Sequence, residues 1–225
     1  MDKGIIVSCQ AEEGSYLNNI QSIVALAKEA ERGGAVAVRI EGVDNISAVK
    51  KELDIPVIGL IKKKYSTGKV WITPSISEAK LIEAAGADYI AADATGRKDP
   101  LTVKDGWKNL RDICKLTSVP VIGDMAYAGF MNKNITMAEE CGCKMLSTTL
   151  SGYTEYCEPT EEPDFDFLKL LSEKSHLPVI AEGRYSTKEH VYFAKQNGAS
   201  NIVIGTAITR PHLITKRFKE NFDEI

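Results

Sequence analysis

The sequence predicts an α/β protein folded as a single (β/α)8 TIM barrel spanning residues 1–225. Two repeated phrases and the character of the apolar runs carry that expectation. One phrase puts proline before an apolar run: Ile55-Pro-Val-Ile-Gly59, Val119-Pro-Val-Ile-Gly123 and Leu177-Pro-Val-Ile-Ala181. The other puts a glycine there: Gly33-Gly-Ala35, Gly86-Ala-Asp88, Cys141-Gly-Cys143 and Gly198-Ala-Ser200. Proline is tolerated at a strand's first residue. Glycine suits the C-terminal end of the helix before it. Both phrases therefore mark helix-to-strand junctions, and they nearly alternate. The runs are continuously apolar, the mark of strands covered on both faces.

Taken in order, the first strand is Ile5–Cys9. A helix over Ser22–Arg32 follows, with Ile23, Leu26, Ala27 and Ala30 on one face. The strand Ala35–Arg39 comes after the Gly33-Gly34 stop, and Val57–Ile61 after Pro56. Ser75 and Glu78 form a capping box that opens a helix over Ser75–Ala85. Tyr89–Asp93, Pro120–Gly123 and Met145–Thr148 are the next strands. A helix over Phe165–Ser175 leads to the strand Val179–Ala181. Ser186 and Glu189 make a second capping box, opening Ser186–Asn197. The last strand is Asn201–Ile204, and the tail Leu213–Ile225 is a final helix. Alternating βα units with right-handed crossovers give a doubly wound sheet or a barrel. Eight units of roughly thirty residues favour the barrel.

Composition narrows the function classes. The chain is 44% hydrophobic and 26% charged, enough to bury a substantial core. A net charge of −3 leaves no nucleic-acid footprint, and Lys62-Lys63-Lys64 is too short to change that. Lys63 and Lys64 read as a solvated loop. No apolar run reaches membrane-spanning length. The start, MDKGIIVSCQ, lacks a signal-peptide pattern, so a cytoplasmic location is expected. Five cysteines without zinc spacing read as free thiols, several of them buried.

In a barrel the chemistry gathers at the C-terminal ends of the strands. Here those ends carry Cys9-Gln10, Arg39, Lys62, Asp93, Asp124, Ser147-Thr148, Glu182 and Gly205-Thr206. Gly183-Arg184 and Gly205-Thr206-Ala207 follow the seventh and eighth strands, where backbone N–H groups bind phosphate. Arg210 lies just beyond, able to close on such an anion. Lys62 and Glu182 emerge from apolar runs into the mouth. Desolvation and a neighbouring cation such as Arg39 lower a lysine's pKa. Lys62 then serves as a base or forms a Schiff base; a structural Lys62–Glu182 ion pair is the bland alternative. No metal is expected: His176, His190 and His212 all miss the strand ends, and Asp93 with Asp124 makes a poor transition-metal site. There is no GxSxG, Walker A or Rossmann fingerprint.

These residues sit in phrases that together resemble one family. They are Ile6-Val-Ser-Cys-Gln10, Gly34-Ala-Val-Ala-Val-Arg39, Pro56-Val-Ile-Gly-Leu-Ile-Lys62, Ile72-Thr-Pro74 and Ala92-Asp-Ala-Thr95 with Arg97. Ser147-Thr-Thr-Leu-Ser-Gly-Tyr-Thr154, Ala181-Glu-Gly-Arg184, and Ala207-Ile-Thr-Arg-Pro211 with Ile214-Thr-Lys-Arg217 follow. Over nearly its whole length the chain resembles the bacterial N-acetylmannosamine-6-phosphate 2-epimerases. The resemblance implies a barrel of the ribulose-phosphate-binding type and an enzyme of sialic-acid catabolism. It implies interconversion of N-acetylmannosamine 6-phosphate and N-acetylglucosamine 6-phosphate without a cofactor. It makes Lys62 and Glu182 catalytic. Gln10, Arg39, Asp124, Thr148 and Tyr153 would line the sugar site. Gly183, Arg184, Gly205, Thr206 and Arg210 would hold the phosphate. One stretch departs from the family pattern: Met125 to Lys133 is less polar than expected after Asp124.

The chemistry agrees. In the open-chain sugar, C2 is α to an aldehyde, and its proton leaves if the enolate is stabilised. The rival reactions are a Schiff-base lyase or aldolase acting through Lys62, and a non-catalytic sugar-phosphate binder. The expected partner is a phosphorylated amino sugar, with no nucleic acid and no membrane. A homodimer is the usual oligomer.

Overall fold

A computed structural model of the chain describes residues 1–65, 69–98, 105–127, 131–155 and 157–223. Strands and helices alternate: β1 (Gly4–Cys9), α1 (Ile20–Arg32), β2 (Ala37–Glu41), α2 (Val43–Lys50), β3 (Val57–Leu60), β4 (Lys62–Lys64) and β5 (Val70–Ile72). Next come α3 (Ile76–Ala84), β6 (Tyr89–Asp93), α4 (Gly106–Leu116), β7 (Val121–Asp124), α5 (Met131–Cys141) and β8 (Met145–Ser147). The chain continues with α6 (Phe165–Lys174), β9 (Val179–Glu182), α7 (Lys188–Gln196), β10 (Asn201–Ile204), α8 (Thr206–Thr209) and α9 (Pro211–Asp223). Eight parallel strands close in the order β1, β2, β3, β6, β7, β8, β9, β10 and back to β1. The expected (β/α)8 barrel is therefore present. Strands β4 and β5 form a separate antiparallel ribbon.

The strand register sorts side chains into two sets. Val7, Cys9, Val38, Ile40, Ile90, Val121, Leu146 and Val179 pack outward with the helices. Ile6, Ala37, Ile58, Ala91, Ile122, Met145, Ile180 and Val203 fill the barrel interior. Most of the next inward positions up are polar, with Leu60 the apolar exception on β3. Ser8 aligns with Arg39, Asp93 with Asp124, and Asp124 with Ser147. An apolar floor thus carries a charged layer directly beneath the mouth. Gly59 lets α3 pack close to β3, since a Cβ there would meet Ile82 Cγ2 at 2.5 Å.

Several expected boundaries move. The second strand was expected at Ala35–Arg39 and runs over Ala37–Glu41. Ala35 is still finishing α1: Gly34 has φ +89, and the Ala35 N–H donates to Ala30 O at 3.0 Å. That bond, spanning six residues, is the Schellman closure. The expected box at Ser75 is also different. Ser75 makes no side-chain cap bond to the backbone; its hydroxyl goes to the Glu78 carboxylate. Helix α7 starts later than expected, because Thr187 rather than Ser186 is the N-cap and accepts from His190 N at 3.1 Å.

All five cysteines are free, with Cys9, Cys141 and Cys143 buried. Among the described residues no helix is long and apolar enough to cross a membrane. The final helix buries none of its described residues, and Phe222 on it is 81% exposed.

Candidate active site

Strand β9 delivers Glu182 from a buried run, Val179-Ile-Ala181, to the top of the interior. The backbone at that point is clamped by Thr148. Its hydroxyl donates to Glu182 O at 2.8 Å and accepts from Glu182 N at 2.9 Å. Thr148 was expected against the substrate. It is buried and already spent on backbone groups, so it holds the strand end instead.

The Glu182 carboxylate stands in a charged cluster. Arg39 Nη1 lies 3.1 Å from Glu182 Oε2. The same guanidinium grips Asp124 with two nitrogens, Nη1 to Oδ1 at 3.2 Å and Nη2 to Oδ2. Thr149 Oγ1 reaches both Asp124 Oδ1 and Glu182 Oε2 at 2.9 Å. Arg39 and Asp124 were expected to line the open mouth. Their side chains are 2% and 0% exposed, so they form the floor beneath Glu182. The two-residue shift of β2 explains this, since Arg39 lies mid-strand and Glu41 takes the strand end. Burial opposes the Arg39 charge, but Asp124 and Glu182 outweigh it and its pKa rises. Burial raises the Glu182 pKa and Asp124 adds to the rise, while Arg39 pulls the other way.

Lys62 arrives differently. It opens the ribbon rather than ending a barrel strand, and it pairs with Ile72. Just before it, Ile61 and Thr73 exchange two bonds: Thr73 N donates to Ile61 O at 2.7 Å, and Ile61 N donates to Thr73 Oγ1 at 3.2 Å. Thr73 is buried with φ +45, a conformation that its surroundings must enforce. The other ribbon strand is latched by Arg97. That buried guanidinium stacks 3.9 Å from the Trp71 ring centre and donates to Val70 O at 2.5 Å. It also donates from Nη2 to Asp93 Oδ2 at 2.6 Å. Asp93 therefore anchors Arg97 instead of facing the mouth. Lys63 is exposed, as expected, and also pairs with Glu78.

The Lys62 side chain is exposed, yet the crowded rim around it lowers its pKa. Desolvation is the main cause, with Arg39 and Arg210 adding and Glu41 and Glu182 opposing. The alternative of a structural Lys62–Glu182 ion pair does not form; Glu182 pairs with Arg39.

The two turns expected to hold phosphate lie side by side after β9 and β10. Gly183 has φ +115 and Arg184 φ +64, so the first turn folds back sharply. Gly205 caps α8 without any side-chain bond and leads into Thr206. A Cβ there would come within 3.3 Å of Ser8 Cβ. The two arginines do not close on this space. Arg184 donates to Glu162 O at 3.0 Å and Ser151 O at 3.1 Å, and it lies 5.4 Å over the Tyr153 ring. Arg210 Nη1 is 2.5 Å from Glu12 Oε1. Tyr153 itself is 46% exposed at the rim. Gln10 donates to Ser8 Oγ at 2.9 Å, while its buried Oε1 and the buried Arg39 Nε have no partner among the described residues. Such orphans are rare in interiors.

Sequence reasoning missed Thr149, Thr73, Glu41 and Glu12. Glu41 had a signal: Ala37-Val-Arg-Ile-Glu41 alternates, which places Arg39 and Glu41 on one face. Thr149 had none. Among the described residues no cluster of His, Cys, Asp and Glu would hold a metal ion. The stretch after Asp124 that departs from the family pattern includes residues 128–130, which lie outside the described residues.

Comparison with known proteins points one way. The family described as "Putative N-acetylmannosamine-6-phosphate epimerase" matches residues 23–224. A Caldanaerobacter subterraneus protein described as "Putative N-acetylmannosamine-6-phosphate 2-epimerase" is 45% identical, over 97% of this chain and 90% of its own. A Clostridioides difficile protein of the same description is 39% identical, over 95% and 93%. The solved structure of the N-acetylmannosamine-6-phosphate 2-epimerase from Clostridium perfringens superposes with a TM-score of 0.87 at 35% identity. It covers 96% of this chain and 92% of that one. An orotidine 5'-phosphate decarboxylase from Pyrococcus horikoshii shares the fold alone, with a TM-score of 0.60 at 16% identity, over 91% of this chain and 90% of that one.

Proposed function

The chain belongs to the N-acetylmannosamine-6-phosphate epimerase family, and on that premise we propose that it interconverts N-acetylmannosamine 6-phosphate and N-acetylglucosamine 6-phosphate. The supporting observation is the pairing of two shifted groups at one mouth. Lys62 is pushed toward its neutral form and Glu182 toward its protonated form. A neutral amine removes a proton, and a protonated carboxyl supplies one. Lys62 takes and returns the C2 proton of the open-chain sugar. Glu182 gives a proton to O1 as the enolate forms and recovers it afterwards. Arg39 and Asp124 act through Glu182 rather than on the substrate. Gln10 offers its orphaned Oε1 to a sugar hydroxyl, and Tyr153 borders the sugar at the rim. The turns at Gly183-Arg184 and Gly205-Thr206 receive the phosphate through backbone N–H groups, and Arg210 swings from Glu12 to close on it. Remote phosphate binding then orients C2 over Lys62.

The reaction belongs to amino-sugar and sialic-acid breakdown. A phosphorylated sugar is charged and stays in the compartment that makes it, which supports a cytoplasmic site. The bare α9, with Phe218 and Phe222 exposed, supports a homodimer in which a second copy covers it. Sedimentation at the mass of one chain would remove that part of the reading.

Proton NMR with N-acetylmannosamine 6-phosphate in deuterium oxide tests the reaction. The N-acetylglucosamine epimer should appear with deuterium at C2. A borohydride-trapped adduct on Lys62 would transfer the assignment to a Schiff-base lyase. The rate needs Lys62 neutral and Glu182 protonated together. Turnover should therefore fall at both low and high pH, with the two limbs belonging to the pair.

A further inference from the structure

Thr149 Oγ1 has three close oxygen neighbours: Asp124 Oδ1 at 2.9 Å, Glu182 Oε2 at 2.9 Å and Ser147 Oγ at 2.7 Å. A threonine hydroxyl has one hydrogen and two lone pairs, and an ionised carboxylate only accepts. With Asp124 and Glu182 both ionised, Thr149 can donate to only one of them. The other contact would set lone pair against lone pair at 2.9 Å inside the barrel. One added proton completes the set. Glu182 then donates to Thr149, Ser147 donates to Thr149, and Thr149 donates to Asp124.

The geometry also says which carboxyl carries that proton. Asp124 is held by both Arg39 nitrogens and is 0% exposed. Glu182 receives only one of those nitrogens, and its side chain is 15% open toward the mouth. The charged groups facing Glu182 are Arg39 from β2, Asp124 from β7 and Lys62 from the ribbon. The desolvation that raises the Glu182 pKa acts in the same direction.

We propose that Glu182 rests protonated and that Thr149 is a positioning residue, which receives the Glu182 O–H at rest and stabilises the anion left after donation. This rests on the epimerase reading above. During the reaction the Glu182 O–H bond breaks and a substrate O–H bond forms, so the negative charge passes from the enolate oxygen to Glu182. Thr149 keeps its own O–H bond and turns that hydrogen from Asp124 to Glu182. Arg39 retains the Asp124 charge throughout. The reverse rotation accompanies proton return.

The test compares Thr149→Val, which removes the hydroxyl at nearly constant shape, with Thr149→Ser, which keeps it. In Thr149→Val, kcat should fall about 10- to 100-fold, the range for a lost hydrogen bond to a charged group. KM should stay near wild type. The Glu182 anion loses its donor, so the pH limb that belongs to Glu182 should move to higher pH. Thr149→Ser should restore both rate and limb. An independent readout is the infrared spectrum of the resting wild-type enzyme at neutral pH. It should contain a protonated-carboxyl band that Glu182→Gln removes. Wild-type kcat with an unmoved limb in Thr149→Val overturns the proposal, as does a wild-type spectrum without that band. If Thr149→Val fails to fold, Thr149→Ser and the infrared band still decide it. A wild-type enzyme that does not epimerise sinks the functional reading alone, because the band tests the proton on Glu182 without turnover.

Discussion

The ribbon β4–β5 and the upper end of β9 each deliver one titratable group to the mouth, on supports of different kinds. Glu182 stands on a barrel strand hydrogen-bonded on both sides, with Thr148 fixing its backbone and Arg39 and Thr149 fixing its carboxylate. Lys62 stands on a two-stranded flap held by the Ile61–Thr73 exchange at its base and the Arg97 latch on its far strand. A two-stranded ribbon alone is marginal in water, so these clasps decide where the lysine sits. On the proposed mechanism, a carboxyl that holds a proton gains from this dry, fixed setting, and a lysine that meets a substrate carbon gains from open access.

The largest expected effect separates chemistry from stability on the ribbon side. Lys62→Met should cut turnover about 10,000-fold, the upper end of general acid–base contributions. It should not lower the melting temperature. The folded state holds the Lys62 pKa below its ordinary 10.5, so at neutral pH the charge opposes folding and stability from this group returns only as pH rises. A marked loss of Tm would mean that Lys62 is structural after all.

The next effect lies on the barrel side. Arg39→Leu leaves Asp124 and Glu182 facing each other without their cation. Breaking such a buried pair costs about 3–5 kcal/mol. Urea unfolding should show that loss, and adding Asp124→Leu should recover part of it. An unchanged midpoint would deny the cluster its role as the floor of the site.

The smallest effect tests the latch. Arg97→Lys keeps the charge but loses the planar fork that stacks on Trp71 and reaches Asp93 and Val70. Turnover should fall about 10-fold to 100-fold through misplacement of Lys62. The Glu182 carboxyl band should persist. Loss of that band would show that ribbon and barrel side are one unit, and the contrast between them would fail.

The barrel itself was legible because continuous apolar runs and Pro or Gly junctions repeat through the chain. Lys62 and Glu182 could be picked out as candidates because each follows such a run directly. Arg39 and Asp124 were found as residues but misplaced as mouth groups. A charge at the end of an apolar run looks exposed, and only closure of the barrel shows it sealed. The ribbon was missed, although Gly68 between Lys62–Lys64 and Val70–Ile72 is a hairpin cue. Arg184 and Arg210 were read as anion binders by type, while the structure occupies them with Glu162, Ser151 and Glu12. Thr149 was illegible because its meaning lies in a proton count among three residues that meet only in space.

The exchange of bonds between Ile61 and Thr73 has a consequence for how this chain tolerates change in length. It ties the chain together beside Lys62, so the position of the lysine is fixed there. Residues added between Lys64 and Val70 would lengthen a loop that is already tied. Doubling such a loop costs only about 0.6 kcal/mol of closure entropy. Insertions between Lys64 and Val70 should therefore leave the lysine in place.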